Sequence, residues 1–440
     1  MADNATAPSG AAAAIHGADP IDVLVIGAGP AGIAAATAAA EAGSRVLVID
    51  DNPAPGGQIW RGGGAAGAAG AALRRLAACG AAVAPGTAVV SVGPGPAVVV
   101  RGPHGADERE SLVRLAPRRV VLATGARERF VPFPGWTTPG VVGAGGLQAL
   151  VKQGLDVAGR RVVVAGSGPL LLAVGELVVQ RGGRLVAIAE QAGAWRLARF
   201  SAGLLAAPSK LAQALSLRRA IGPVLRPGCF PIAVRPAAAG LVVTLRAGGP
   251  GRERDTELAC DILAAGFGLV PNTEVARALG CRIGAAGVWV DHWQRTSVGD
   301  VLAAGECTGV GGLEKSLVEG RRAGLVAAGR EREADRLRAP AHRARRFAAR
   351  LERTFALDPR LATLADDETI VCRCEDVAAG RLRGFTGWRE AKLLSRVGMG
   401  PCQGRVCGTC TAVVFGWTCD DVRPPLVPVP VGSLFTPPER

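Results

Sequence analysis

The chain has 440 residues, about half of them apolar, with 62 glycines, 30 prolines and no tyrosine. That length predicts two to four domains and enough apolar surface for a large core. The formal net charge is +14, but aromatics make up only 4% and no basic stripe is interleaved with them, which argues against a nucleic-acid binder.

Residues 1–19 are alanine-rich and polar and read as a disordered tail. They lack the basic start and apolar core of a secretory signal. Eleven cysteines without such a signal point to a reducing, cytoplasmic compartment, where clustered thiols more often bind metal than pair as disulfides.

The segment "IDVLVIGAGPAGIAAATAAAEAGSRVLVID" (21–50) predicts strand, glycine turn, helix and second strand. Gly27, Gly29 and Gly32 stand at GxGxxG spacing. The first permits a tight turn, the second lets backbone approach a pyrophosphate, and the third lets helix and strand pack closely. The helix N-terminus then faces phosphate, and Asp50 is placed to accept from a ribose hydroxyl. "APGGQIW" (54–60) supplies a glycine loop able to close over a nucleotide. "VVLATGARER" (120–129) reads as a further strand ending in a glycine turn.

"RVVVAGSGPLLLAVGELVVQRGGRLVAIAE" (161–190) repeats the first pattern. Its apolar run is broken by glycines, Pro169 and Glu176, so a strand–turn–helix explains it better than a membrane span. Gly166 and Gly168 are in place. Leu171 occupies the third glycine position and should push helix from strand, while Glu190 takes the place of the acid that favours NAD over NADP. Whether this second site binds a pyridine nucleotide, another nucleotide or flavin, or nothing, stays open.

"TSVGDVLAAGECTGVGG" (296–312) predicts a strand delivering Gly305 and Glu306 to a helix start near Gly312. The basic stretch 329–353 predicts a charged helix, solvated or docked on another protein. The four histidines, His16, His104, His292 and His342, form no recognisable acid–base constellation.

Near the end, Cys372 and Cys374 form C-x-C, and Cys402 and Cys407 form C-x4-C. Thiolates so grouped are ligands of iron–sulfur clusters or of structural zinc. Zinc sites usually show C-x2-C knuckles, whereas the glycines of "GMGPCQGRVCG" (398–408) let amides approach cluster sulfurs. "CGTC" (407–410) leaves a C-x-x-C redox pair, or Cys410 as a substitute ligand, as alternatives. Cys79, Cys229, Cys260, Cys281 and Cys419 read as small packing residues, and Cys307, directly after the Gly305–Glu306 turn, reads as a packing residue or as a neighbour of whatever that turn holds.

The motifs of residues 20–330 resemble the two-dinucleotide-domain flavoproteins that include glutathione and thioredoxin reductases. The resemblance implies FAD, held by Gly27, Gly29, Pro30, Ala31, Gly32, Asp50, Asp51, Gly57, Gln58, Thr124, Gly125, Gly305 and Glu306. In that family an aspartate reaches the flavin ribityl chain from the position of Glu306. No redox cysteine pair stands where those reductases carry one. Residues 368–425 resemble the BFD-like [2Fe-2S] domain, which implies Cys372, Cys374, Cys402 and Cys407 as ligands.

The whole order, with "GGQIW", "ATGARER", "AGSGPLLL", "AGECTGVGG" and the tail "PPLVPVPVGSL", resembles the larger (A or alpha) subunits of heteromeric opine oxidases. Proline and D-hydroxyproline dehydrogenases and hydrogen cyanide synthase share that layout. The expected architecture is α/β. A discontinuous FAD domain (20–155 and 265–335) encloses an NAD(P)-binding-like domain (156–264). A charged linker (336–365), a small helical BFD-like domain (366–425) and a tail (426–440) follow. The resemblance implies an electron-relaying subunit. An FAD-dependent beta subunit would oxidise the C–N bond of an amino acid, imino acid or opine, and a small ferredoxin-like subunit could complete the assembly. The alternative is a self-sufficient NAD(P)H-dependent flavin reductase feeding its own cluster. No catalytic residue is assigned.

Overall fold

A computed structural model describes Ile15 and residues 20–61, 67–102 and 112–431. The chain folds as two compact units. One comprises residues 1–127, 271–349 and 422–440, and the other residues 128–270 and 350–421.

In the first unit β1 (Val23–Ile26), α1 (Pro30–Glu41), β2 (Val46–Asp50), β3 (Ala82–Pro85) and β4 (Arg119–Leu122) build a Rossmann-like half. Every residue of β1 and β2 is buried, as expected for β-branched runs covered on both faces. The parallel order is β3–β2–β1–β4, with the strand Val301–Ala303 pairing on β4. The helix Leu313–Ala327 packs against α1. Gly320 and Gly324 make this possible: a Cβ on either would stand 2.1 Å from the carbonyl oxygen of Ala31 or Ala35. Two glycines four residues apart lie on one helix face, so the helices touch backbone to backbone.

In the second unit β5 (Val141–Gly143), β6 (Arg161–Gly166), α2 (Leu170–Gln180), β7 (Arg184–Glu190), β8 (Leu225–Pro227) and β9 (Ile262–Gly266) form a parallel sheet in the order β8–β7–β6–β9–β5. Because β5 is an edge strand of this sheet, the boundary lies at 127/128 and 270/271 and not at 155 and 264. An antiparallel sheet, Cys229–Ala237, Gly240–Ala247 and Arg254–Cys260, packs beside it.

The cysteine-rich module shares the second unit's core. Phe133, Phe230 and Phe267 belong to the same buried cluster as Leu361, Val371, Leu382 and Trp388. Burying such side chains contributes about 1.5–3 kcal/mol each. The module is not purely helical. Its β10 (Ile370–Cys372) pairs with Val377–Ala378 before α3 (Trp388–Ser395) and α4 (Cys407–Phe415). It ends at Asp421. From Val422 the chain belongs to the first unit, where the Leu426 amide donates to the Val90 carbonyl (2.7 Å) and Arg101 donates to the Pro428 carbonyl (2.9 Å). That stretch of the tail is therefore seated on its own chain; residues 432–440, like the expected N-terminal tail apart from Ile15, lie outside the described residues.

Candidate functional site

In the first unit the loops at the carboxyl end of the sheet are brought together by glycine. Gly27 has φ +105°, and a Cβ there would meet the Ala123 oxygen at 2.4 Å. A Cβ on Gly32 would stand 1.7 Å from the Gly27 oxygen, so the α1 helix is seated on the turn. Pro30 opens α1, and no side chain caps its first amides. The macrodipole and those open N–H groups make an anion cradle.

The "GGQIW" loop closes against this turn. A Cβ on Gly57 would lie 2.9 Å from the Gly29 Cα, and the Gly56 amide donates to the Ala28 carbonyl (2.8 Å). Gln58 and Asp51 are exposed beside it. Asp50 is buried. One carboxylate oxygen accepts from the Ala28 amide (2.5 Å), and the other accepts from the Asn52 amide (2.8 Å) and side chain (2.7 Å). It holds the phosphate loop in shape.

Thr124 donates to the Asn272 carbonyl (2.8 Å), and the Asn272 side chain returns a bond to the Thr124 carbonyl (2.8 Å). The Asn272 amide donates to the Gly125 carbonyl (3.0 Å). Asn272 had no motif to mark it in the sequence. Gly305, at φ +81°, sits so close that a Cβ would fall 2.6 Å from the Ala31 Cβ. Glu306 accepts from the Gly312 amide (3.0 Å), just before the following helix. Beneath this turn lies a buried network. Glu319 is fully enclosed and accepts from Lys315 (2.7 Å), Arg345 (2.8 Å), Thr308 (2.9 Å) and the Gly305 amide (3.2 Å). Two cations hold its carboxyl below the usual range against the opposing effect of burial. Arg345 thus anchors the charged helix Arg338–Thr354, which is not simply solvated. Every assigned nucleotide-site residue therefore lies on the phosphate turn of the first unit or on a loop tied beside it. Close approaches that leave room only for hydrogen at Gly27, Gly32, Gly57 and Gly305 pack these loops on one another, and the uncapped amides at the start of α1 suit the pyrophosphate of a dinucleotide.

The second motif is built alike and closed. Gly166 has φ +137°, and its Cβ would meet the Gly266 oxygen at 1.8 Å. Leu171 is buried in the core, and the close helix–strand approach moves to Gly175, whose Cβ would lie 2.7 Å from Ile188 Cδ1. Glu190 accepts from the Gly168 (2.8 Å) and Ala192 (2.9 Å) amides. Burial raises its carboxyl to about 7. The crevice beyond the strand ends, where a dinucleotide would lie, holds residues 355–358 of the chain itself. Ser167 donates to the Phe355 carbonyl (3.0 Å), and Gln191 donates to the Ala356 carbonyl (3.0 Å). The Asp358 amide donates back to Gln191 (2.7 Å), and Phe355 packs edge-on against Phe200 at 5.5 Å.

In the cysteine module, Cys372 ends β10, Cys374 and Cys402 lie in turns, and Cys407 opens α4, so one of the four stands at a helix end. The four thiols act on one another, Cys372 and Cys402 each with Cys407, and Cys374 with both Cys402 and Cys372. The Cys407 thiol donates to Cys372, and the amides of Gly398, Glu375 and Cys374 add to it, drawing Cys372 down to about 6. The same thiol, with the amides of Val406 and Gly404, draws Cys402 down to about 4. Cys407 is correspondingly pushed up by those two neighbours. Among the described residues no three Cys, His, Asp or Glu side chains converge as ligands of one ion. Cys410 is fully buried and its thiol is pushed up by desolvation, which removes the accessible, acidic thiol a C-x-x-C redox pair needs. No disulfide joins any two of the eleven cysteines. His292 is exposed, and His16 and His104 lie outside the described residues. No helix among the described residues is long and apolar enough to cross a membrane.

The sequence pattern of the pyridine nucleotide-disulphide oxidoreductase family matches residues 21–199 and 241–331. The A component of opine oxidase from Rhizobium meliloti (strain 1021) is 36% identical, over 94% of this chain and 98% of its own. The HcnB component of hydrogen cyanide synthase from Pseudomonas aeruginosa is 31% identical, over 93% and 97%. The crystal structure of L-proline dehydrogenase from P. horikoshii superposes with a TM-score of 0.65 at 19% identity, covering 94% of this chain and 79% of that one, which shows a shared fold.

Proposed function

Because the chain belongs to the pyridine nucleotide-disulphide oxidoreductase family and, within it, to the relatives of the opine oxidase A component and HcnB, we propose that it is the electron-relaying subunit of a heteromeric amine-oxidising dehydrogenase. In this reading FAD lies in the first unit's cradle, with its pyrophosphate on the open α1 amides. Gly27, Gly29, Pro30, Ala31, Gly32, Asp50, Asp51, Gly57, Gln58, Thr124, Gly125, Gly305 and Glu306 form its surroundings. Cys372, Cys374, Cys402 and Cys407 hold a [2Fe-2S] cluster. Flavin exchanges electrons in pairs or singly and such a cluster takes one at a time, so together they join hydride chemistry to one-electron carriers. Four neighbouring thiols with amide donors beside them suit the thiolate ligands of such a cluster. The amide donors to Cys372 and Cys402 favour thiolate there.

The observation that carries the proposal is the filled second crevice. Ser167, Gln191 and residues 355–358 occupy the place of a pyridine nucleotide, which favours electrons arriving from a partner over a self-sufficient NAD(P)H reductase. The donor is then an FAD-dependent beta subunit that oxidises an amino acid, imino acid or opine, and the further member is a small ferredoxin-like subunit. Eleven cysteines with no disulfide among them fit a reducing, cytoplasmic setting.

Anaerobic mixing of the purified chain with NADH and with NADPH tests this. The flavin absorbance should stay unbleached, while dithionite bleaches it. Rapid bleaching by either nicotinamide would install the reductase reading in its place.

A further inference from the structure

Arg322, on the helix Leu313–Ala327 of the first unit, is the bulkiest of the fully buried side chains. Its Nε and Nη2 are enclosed, and neither has a hydrogen-bond partner among the described residues. No other charged side chain among them is left in that state, and a buried donor without an acceptor calls for an explanation. The two orphaned atoms form the edge of the guanidinium that takes carboxylates side-on elsewhere in the chain. Arg75 donates through Nε and Nη2 to the two oxygens of Glu41 (2.6 Å each), and Arg246 does the same to Asp255 (2.9 and 2.8 Å).

The surroundings are rich in cations. The Trp293 ring centre stands 5.8 Å from the guanidinium carbon of Arg322 and 6.0 Å from that of Arg295. Arg345 donates to the side chain of Gln294, next to Trp293, and to Glu319 (2.8 Å), one turn before Arg322. The carboxylates at hand are engaged with other groups. Glu319 is held by Lys315 and Arg345, Glu331 pairs with Arg295 (3.2 Å), and Asp291 accepts from the Trp293 (2.7 Å) and Arg295 (2.9 Å) amides. Burial, with Arg345 and Arg338, disfavours the charge of Arg322, and the exposed Asp335 and Asp291 oppose this only in part.

We propose that Arg322 binds an oxyanion, a phosphate or a carboxylate, side-on through Nε and Nη2. The two parallel N–H groups of this edge match two oxygens of such a group, which favours an oxyanion over a halide. The anion supplies the countercharge that an enclosed guanidinium otherwise lacks, and it satisfies both orphaned donors at once. The Trp293 ring adds a second favourable face to the cation. This site is separate from the nucleotide cradle and from the four cysteines, and it holds whichever cofactors those carry.

The test is thermal melting of the full chain, as purified, in phosphate, in formate and in chloride at one ionic strength. Phosphate or formate should raise the melting temperature saturably above its value in chloride, and whichever acts separates a phosphate from a carboxylate ligand. R322K keeps the charge but not the two-pronged edge. It should raise the half-saturating concentration about tenfold, as the loss of one charge-assisted hydrogen bond would. R322M should abolish the response. Equal melting in all three salts overturns the proposal. So does an oxyanion response that R322K leaves unchanged, since it would belong to another site such as the nucleotide cradle. If R322M does not fold, the shift in R322K decides alone.

Discussion

At the scale of single residues, several positions are decided by the absence of a side chain. Gly400 is the sharpest case in the cysteine module: a Cβ there would stand 2.2 Å from the Cys374 Cβ and 3.1 Å from its sulfur. Gly398 and Gly404 serve another purpose, since Cβ atoms on them would press on the Trp388 ring at 2.6 and 3.0 Å. G400A must therefore displace Cys374, the exposed member of the four. The expected outcome is loss of at least half the bound iron with flavin content unchanged, read by metal analysis and visible spectrum. Full iron in G400A would remove Cys374 from the ligand set.

These residues also show what a sequence carries. Gly27, Gly29 and Gly32 were legible as a turn because their spacing reports one, and the four cysteines were legible as a group, their role as ligands belonging to the proposal. Asn272 was not legible. Its role comes from bonds to Thr124 and Gly125, which are joined to it only by the folded chain. The bonds from the Trp136 ring N–H to the Ile370 carbonyl (2.6 Å) and from the Phe130 amide to Thr409 (3.2 Å), which seat the cysteine module, are hidden for the same reason: each spans more than 230 residues.

At the scale of elements, the two Rossmann-like motifs share a device. An acid ending the second strand of each turns inward to accept from an amide of the glycine loop, Asp50 from Ala28 and Glu190 from Gly168. The repeat of strand, turn and helix was readable from glycine spacing. The closure of the second motif was not, because residues 355–358 reach it from a linker whose charged neighbours predict only a helix. Leu171 hinted at a changed site but not at what fills it.

Glu190 gives this element a pH signature. Its folded-state carboxyl sits at about 7, above the ordinary 4.5, because burial disfavours the charge. A raised folded value means that the folded chain binds the proton more tightly than the unfolded chain. Glu190 then costs nothing below about 4.5, and it withdraws stability as pH rises from there to about 7, by about 3 kcal/mol in total. Melting temperatures measured across that window should fall more steeply with pH in the natural chain than in E190Q. Parallel curves would show that this carboxyl does not titrate in the window.

At the scale of the whole molecule, the composition and the fold point to one division of labour. A glycine-tight nucleotide cradle sits in one unit. The other unit carries a second dinucleotide fold whose crevice is taken by the chain's own linker, with the four-cysteine module built into the same hydrophobic core. That linker leads directly into the module, so the second fold acts as its anchor.

The central claim, that flavin and a binuclear iron–sulfur cluster share this chain, is tested most directly by metal and flavin analysis joined to EPR on anaerobically purified protein. The account predicts about two irons per chain, bound flavin, and a paramagnetic signal that appears on one-electron reduction and is lost with the iron in the Cys372→Ser variant while the flavin stays. A colourless protein holding zinc, or one holding flavin with no metal at all, would contradict it.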